Sequence, residues 1–227
     1  MGIEKNPADF LPSDVEAVVA SEWNYAARYN RQSEPRAILL AGQPGAGKTV
    51  LSSMLNKLLC GNVYFINADE YRRFHPNYKE LYARYGSDSV QMTSGFSGAV
   101  TERLIHETSE RGIHLIIEGT GRTTDVPHRT AELLVKKGYR VELAVIATRP
   151  EHSLCSTLLR FYEMNERGTI PRATAMEAHD YVVRVLPDNL DILRDDPVIS
   201  GITIWDRTPT KIYDSCGTAE CPSEVLR

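Results

Sequence analysis

Eight consecutive residues, Gly42, Gln43, Pro44, Gly45, Ala46, Gly47, Lys48 and Thr49, carry the clearest chemistry in this 227-residue chain. They directly follow Ile38-Leu39-Leu40, an apolar run with the length and branching of a buried parallel strand. Glycines at these spacings let the backbone curl so that successive N–H groups point inward at a β-phosphate. In such a loop Lys48 reaches the β and γ oxygens, and the Thr49 hydroxyl is placed to ligate magnesium. The octet therefore implies a bound nucleoside triphosphate. It does not name the reaction, because kinases, GTPases and motor ATPases share it. A GTP switch is disfavoured: no Asn-Lys-x-Asp guanine clamp occurs, and the only Asp-x-x-Gly, Asp214 to Gly217, lies near the carboxyl terminus.

Phosphoryl transfer asks for positioning, charge neutralisation and a carboxylate to take the proton of the acceptor hydroxyl. Asp69, just beyond the apolar run Val63-Tyr64-Phe65-Ile66, suits that task, and it equally suits the N-cap of the segment that follows. Glu118 ends a third apolar run, Ile113 to Ile117, and leads into Gly119, Thr120, Gly121 and Arg122. It could hold magnesium through water or grip substrate hydroxyls. With Glu70 beside Asp69, these clusters are expected to face one crevice. Arg160 and Arg172 bracket the polar, Gly- and Pro-containing stretch from Asn165 to Pro171, which has the composition of a mobile lid. Arginines on a closing lid can neutralise charge moving through the γ-phosphate, whereas Arg160 with Glu163 could equally be a solvated i, i+3 pair. His75, His128 and His179 read as packing or supporting groups, since none of the six histidines has metal or nucleophile spacing.

These residues need a scaffold, and the hydrophobic periodicity supplies one. Val15, Val18, Val19, Trp23 and Ala26 predict a helix capped by Ser13, and Leu51 to Leu59 predict another stopped at Gly61. Helices are expected over 93–111, from about 128 to 137, over 151–164 and over 173–186. Further strands are expected over 141–147 and 202–205. Strands alternating with helices mean an α/β fold with a parallel sheet covered on both faces. The expected organisation is a helical segment over 1–35 packed on the core, one nucleotide-binding domain over 36–213 and a loosely organised tail over 214–227. In such sheets ligands bind beyond the carboxyl ends of the strands. A net charge of -4 gives no electrostatic reason to expect nucleic acid, and no apolar stretch approaches membrane-spanning length, which points to a cytoplasmic protein. The four cysteines lack metal-ligand spacing and read as reduced structural thiols.

Several runs together resemble the zeta toxin family, the kinase halves of epsilon/zeta toxin-antitoxin systems. They are GQPGAGKT (Gly42 to Thr49), NADEYRRFHPNY (Asn67 to Tyr78), IIEGTGRTTDVP (Ile116 to Pro127), and PRATAMEAHDYVV (Pro171 to Val183) followed by LPDNL (Leu186 to Leu190). The resemblance spans about 37–213 and implies a P-loop kinase-like fold. It also implies ATP- and magnesium-dependent phosphorylation of the sugar hydroxyl of UDP-N-acetylglucosamine, a dead end for peptidoglycan synthesis. Carried over by residue, Lys48 resembles the phosphate-loop lysine, Thr49 the magnesium ligand and Asp69 the base. Glu102, Glu118, Thr120 and Arg122 resemble the sugar-nucleotide contacts, and Arg160 with Arg172 the charge-neutralising pair. Glu102 is assigned through the resemblance alone. The family likeness further implies a small helical antitoxin that covers the ATP site. Two other functions fit the residues themselves: a kinase of another small acceptor, such as an antibiotic or metabolite, and a nucleotide-dependent binding module without transfer.

Overall fold

The computed structural model describes residues 6–171 and 173–227. Helix α1 (Pro12–Ala26) opens them, followed by strand β1 (Arg36–Ala41), helix α2 (Lys48–Leu58) and strand β2 (Val63–Asn67). A run of short helices comes next: α3 (Ala68–Tyr71), α4 (Tyr78–Tyr85) and α5 (Ser89–Met92). The long α6 (Ser94–Glu110), β3 (His114–Glu118), α7 (Asp125–Lys136), β4 (Arg140–Ile146), α8 (Pro150–Glu166) and α9 (Met176–Arg194) follow. The chain closes with β5 (Ile202–Trp205), β6 (Lys211–Asp214) and α10 (Pro222–Leu226).

The six strands form one sheet in the order β2-β3-β1-β4-β5-β6. The first five run parallel, and β6 joins the edge antiparallel to β5, with a register shift at Ile204/Trp205. The fold is thus α/β with a mostly parallel sheet, and the antiparallel edge strand is the departure from the expected all-parallel pairing. Both faces are covered, which is why β1 reads as an unbroken apolar run. Successive side chains of a strand point to opposite faces. Leu39, Ala41, Leu115, Ile117, Leu143 and Val145 accordingly enter a core shared with α1, α6, α7 and α9. Ile38, Leu40, Ile116, Ala144 and Ile146 enter a second core with Leu51 and Leu55 of α2.

Three boundaries differ from expectation for local reasons. Helix α1 begins at Pro12, whose missing N–H costs nothing at a first helical position, so Ser13 lies inside the helix. The Asp14 carboxylate, rather than Ser13, closes that end by accepting from the Leu11 N–H at 2.7 Å. Helix α9 continues through Pro187, where the sequence pattern was expected to stop, because the packing of Leu186, Leu190 and Leu193 holds it together past the lost hydrogen bond. The tail carries β6's end and α10, whose Pro222 and Ser223 are buried, so it is more ordered than its composition suggests. Cys60, Cys155 and Cys216 are exposed free thiols, against the expectation of a structural role.

Candidate active site

The octet forms a loop between β1 and the first turn of α2, at the carboxyl end of the central strand. From there the chain runs to β2 on one side of β1 and later to β4 on the other, so the loop sits where the strand order reverses. Gly42, Gly45 and Gly47 have φ of 148°, 76° and 106°. At Gly45 a Cβ would collide with the Ser153 carbonyl oxygen of α8, so glycine is needed there for conformation and for close approach alike. The loop is tied to its surroundings by the Thr148 hydroxyl, which donates to the Ala46 carbonyl at 2.7 Å, and by the Gln43 amide, which donates to the Thr148 carbonyl at 2.6 Å. Gln43 and Ala46 are buried, Pro44 is half-buried and Thr49 is exposed at the start of α2.

Lys48 folds back over the loop and donates to the Gly42 carbonyl at 2.9 Å and the Gln43 carbonyl at 3.3 Å. Its ammonium lies 3.9 Å from Glu118 Oε1, so the ends of β1 and β3 meet as expected. Glu118 Oε2 accepts from the Asn67 amide at 3.2 Å, which brings in the end of β2. Burial pushes the Lys48 ammonium below the ordinary lysine value, while Glu118 and Asp69 raise it and Arg160 lowers it further. Three of the residues singled out in the sequence, Glu118, Asp69 and Arg160, thereby act on the charge of a fourth, Lys48.

Asp69 is not the N-cap of α3. Asn67 takes that place, its side-chain oxygen accepting from the Asp69 N–H at 3.0 Å. The Asp69 carboxylate is instead gripped by Arg72, whose Nε donates to Oδ1 at 2.9 Å. Arg72 donates in turn to the Val90 carbonyl at 2.5 Å and the Thr93 hydroxyl at 3.3 Å. Its side chain is 14% exposed against 50% for Asp69, so the arginine is the fixed partner and the carboxylate stays accessible. Arg160 on α8 reaches Thr174 at 3.4 Å, and Glu163 pairs with Arg167 one turn along the same helix. Arg172 lies outside the described residues. Thr120 is half-buried and accepts from the Arg122 N–H at 3.4 Å, and the Arg122 side chain is exposed. Glu102 is exposed on α6. Glu70 lines a pocket with Glu22, Phe65, Asn67, Tyr71, Arg73 and Phe74, and Asn67 is the residue that links this pocket to Glu118.

The model of the Zeta toxin family matches residues 20–218. The chain belongs to the zeta toxin family. It is 40% identical over 221 residues to Toxin PezT of Streptococcus pneumoniae, covering 96% of this chain and 87% of that protein. It is 41% identical over 194 residues to Toxin zeta of Streptococcus pyogenes, covering 85% of this chain and 68% of that one. The solved structure of the PezAT chromosomal toxin-antitoxin system of Streptococcus pneumoniae superposes with a TM-score of 0.88 at 38% identity, over 98% of this chain and 88% of the other. The AvrRxo1-ORF1:AvrRxo1-ORF2 complex with ATP, at 15% identity and a TM-score of 0.60 over 91% of this chain and 68% of that one, shares the fold.

Within this zeta toxin scaffold, sequence reasoning passed over Asn67, Arg72, Thr148 and Arg207. Arg207, on the connection from β5 to β6, is held by the Ser156 hydroxyl at 3.2 Å and lies beside Gly47 of the loop. Its only signal was a lone cation after a strand, which is no motif. Among the described residues no helix is long and apolar enough to cross a membrane.

Proposed function

We propose that this zeta toxin family chain is a P-loop kinase that transfers the γ-phosphoryl group of ATP to the sugar hydroxyl of UDP-N-acetylglucosamine, and so acts as a toxin against peptidoglycan precursor synthesis. The observation that carries the reading is the Lys48 ammonium, seated on a glycine loop 3.9 Å from Glu118, with Asp69 and Arg160 close enough to act on its charge. A cation for the phosphate, a carboxylate for the hydroxyl proton and a second cation for migrating charge are the parts phosphoryl transfer needs. A pure nucleotide binder has little use for Asp69 and Arg160.

In this mechanism the Gly42–Thr49 backbone cradles the β-phosphate, and Lys48 exchanges its two loop carbonyls for β and γ oxygens. The loop suits a triphosphate, with three glycines at positive φ and an ammonium already resting on its rim. Magnesium neutralises the phosphate oxygens when bound, and Thr49, at the first turn of α2, is the residue that would hold it. Asp69, oriented by Arg72, takes the acceptor's proton as the hydroxyl oxygen bonds to the γ-phosphorus and the bond to the β-phosphate oxygen breaks. Arg160, with Arg172 by the family likeness, offsets the charge that builds on the transferring group. Glu102, Glu118, Thr120 and Arg122 would hold the sugar nucleotide.

The deciding experiment incubates UDP-N-acetylglucosamine with protein, ATP and magnesium and weighs the product. A gain of one phosphate, absent with Asp69→Asn, supports the assignment. No phosphorylated product, with ADP released only in the presence of a different acceptor, replaces the substrate with that acceptor. A small helical antitoxin covering the nucleotide site is the proposed partner, supported by the likeness to the PezAT toxin-antitoxin system. It should compete with ATP for binding.

A further inference from the structure

His179 is fully buried in the first turn of α9, yet both of its ring nitrogens have polar partners. Nδ1 lies 2.9 Å from Asp180 Oδ1 and Nε2 lies 2.8 Å from Ser153 Oγ. Ser153, also fully buried, belongs to the first turn of α8, and its Oγ is 3.4 Å from the Gln43 amide nitrogen. The proton directions follow from chemistry. A carboxylate only accepts, so Nδ1 carries hydrogen toward Asp180, and Nε2 is left to bond Ser153. Ser153 Oγ also donates to the Pro150 carbonyl at 2.9 Å, the turn bond that fixes its rotamer beside Nε2. The Gln43 amide donates to Ser153 Oγ and, with its other hydrogen, to Thr148. A hydrogen-bonded chain thus runs from the phosphate loop through α8 to α9.

We propose that His179 is a positioning residue that ties the start of α9 to the phosphate loop through Ser153 and Gln43. A leucine or phenylalanine would fill a purely structural site at lower cost, because a buried polar chain is costly unless every member is paired. The same turn of α9 follows Thr174, the partner of Arg160, so the tether holds the start of α9 in register with the loop that would bind ATP. The inference rests on the nucleotide reading above, but its first test does not.

Hydrogen exchange is read over 42–47 in the ligand-free chain, beside the Kd for magnesium-ATP. His179→Leu should speed exchange in that loop on the order of tenfold, the equivalent of ~1.4 kcal/mol, and weaken ATP by a similar factor. His179→Gln, whose side-chain oxygen can accept from Ser153, should restore both. In a Gln43→Ala background His179→Leu should add nothing further. Exchange and affinity unchanged in His179→Leu, or a penalty indifferent to Gln43, overturns the tether. Should the leucine variant not fold, Ser153→Ala carries the same comparison, and an unaltered loop in it overturns the proposal equally. Faster loop exchange in a chain whose parent binds no ATP would uphold the tether and reject the nucleotide reading instead.

Discussion

Asp69 is half-exposed, so its aim depends on what holds it, and that is the buried fork of Arg72. Arg72→Met should lower kcat by roughly tenfold to a hundredfold through misplacement of the carboxylate, with ATP affinity little changed. Arg72→Lys should recover only part, since a point charge cannot serve Asp69, Val90 and Thr93 together. Full turnover in Arg72→Met, measured by phosphorylated product, would remove the arginine from the account. Lys48 gives a pH prediction. Its ammonium sits below the usual lysine value and Glu118 is what chiefly counters the fall. Binding a phosphate needs the protonated form, which is lost as pH rises through that value. Glu118→Gln should therefore move the alkaline limb of kcat/KM for ATP to lower pH, and a limb that stays in place contradicts the coupling. The phosphate loop was legible because its glycines and lysine are contiguous. Arg72 was not, because Val90 and Thr93 lie 18 and 21 residues away and only the folded chain brings them together.

At the level of elements, the loop and α8 are in contact at Gly45, where a methyl group has nowhere to go. Gly45→Ala should destabilise the protein by about 1–3 kcal/mol, read by denaturant unfolding, and impair ATP binding together with it. A variant as stable as the parent would mean that α8 gives way freely. His114 at the start of β3 accepts from the Arg36 N–H at 2.9 Å through Nδ1. Burial first, then the Arg36 charge, pushes this imidazole below its ordinary value. The neutral ring is favoured in the folded chain, so its contribution to stability is present above pH about 6.5 and lost as pH falls below it. His114→Gln should flatten that acidic decline in a series of unfolding curves. The strands and most helices were readable from periodicity, since buried strands and amphipathic helices write their burial into the sequence. The short helices from α3 to α5 were not, because four to eight residues are too few for a helical period to show. Pro187 misled for another reason: tertiary packing of α9 overrides a local penalty.

For the molecule as a whole, α1 is part of the principal core rather than an appendage. Val15, Val18, Val19 and Ala26 are buried in the same cluster as β1 and β3, and the buried Tyr64 of β2 donates to Glu22 of α1 at 2.7 Å. Tyr64→Phe should cost about 1–3 kcal/mol because the Glu22 carboxylate loses a charged hydrogen bond in a part-buried place. A chain beginning at Arg28 should fail to fold to a cooperative species, and a soluble, sharply melting product would favour a detachable regulatory segment instead. The two margins of the sheet differ. β6 is four residues long, carries Lys211 and meets its neighbour through an irregular register. A strand so brief, charged and skewed offers a poor template for another chain's backbone, so self-association of this protein at high concentration should begin elsewhere than at that border.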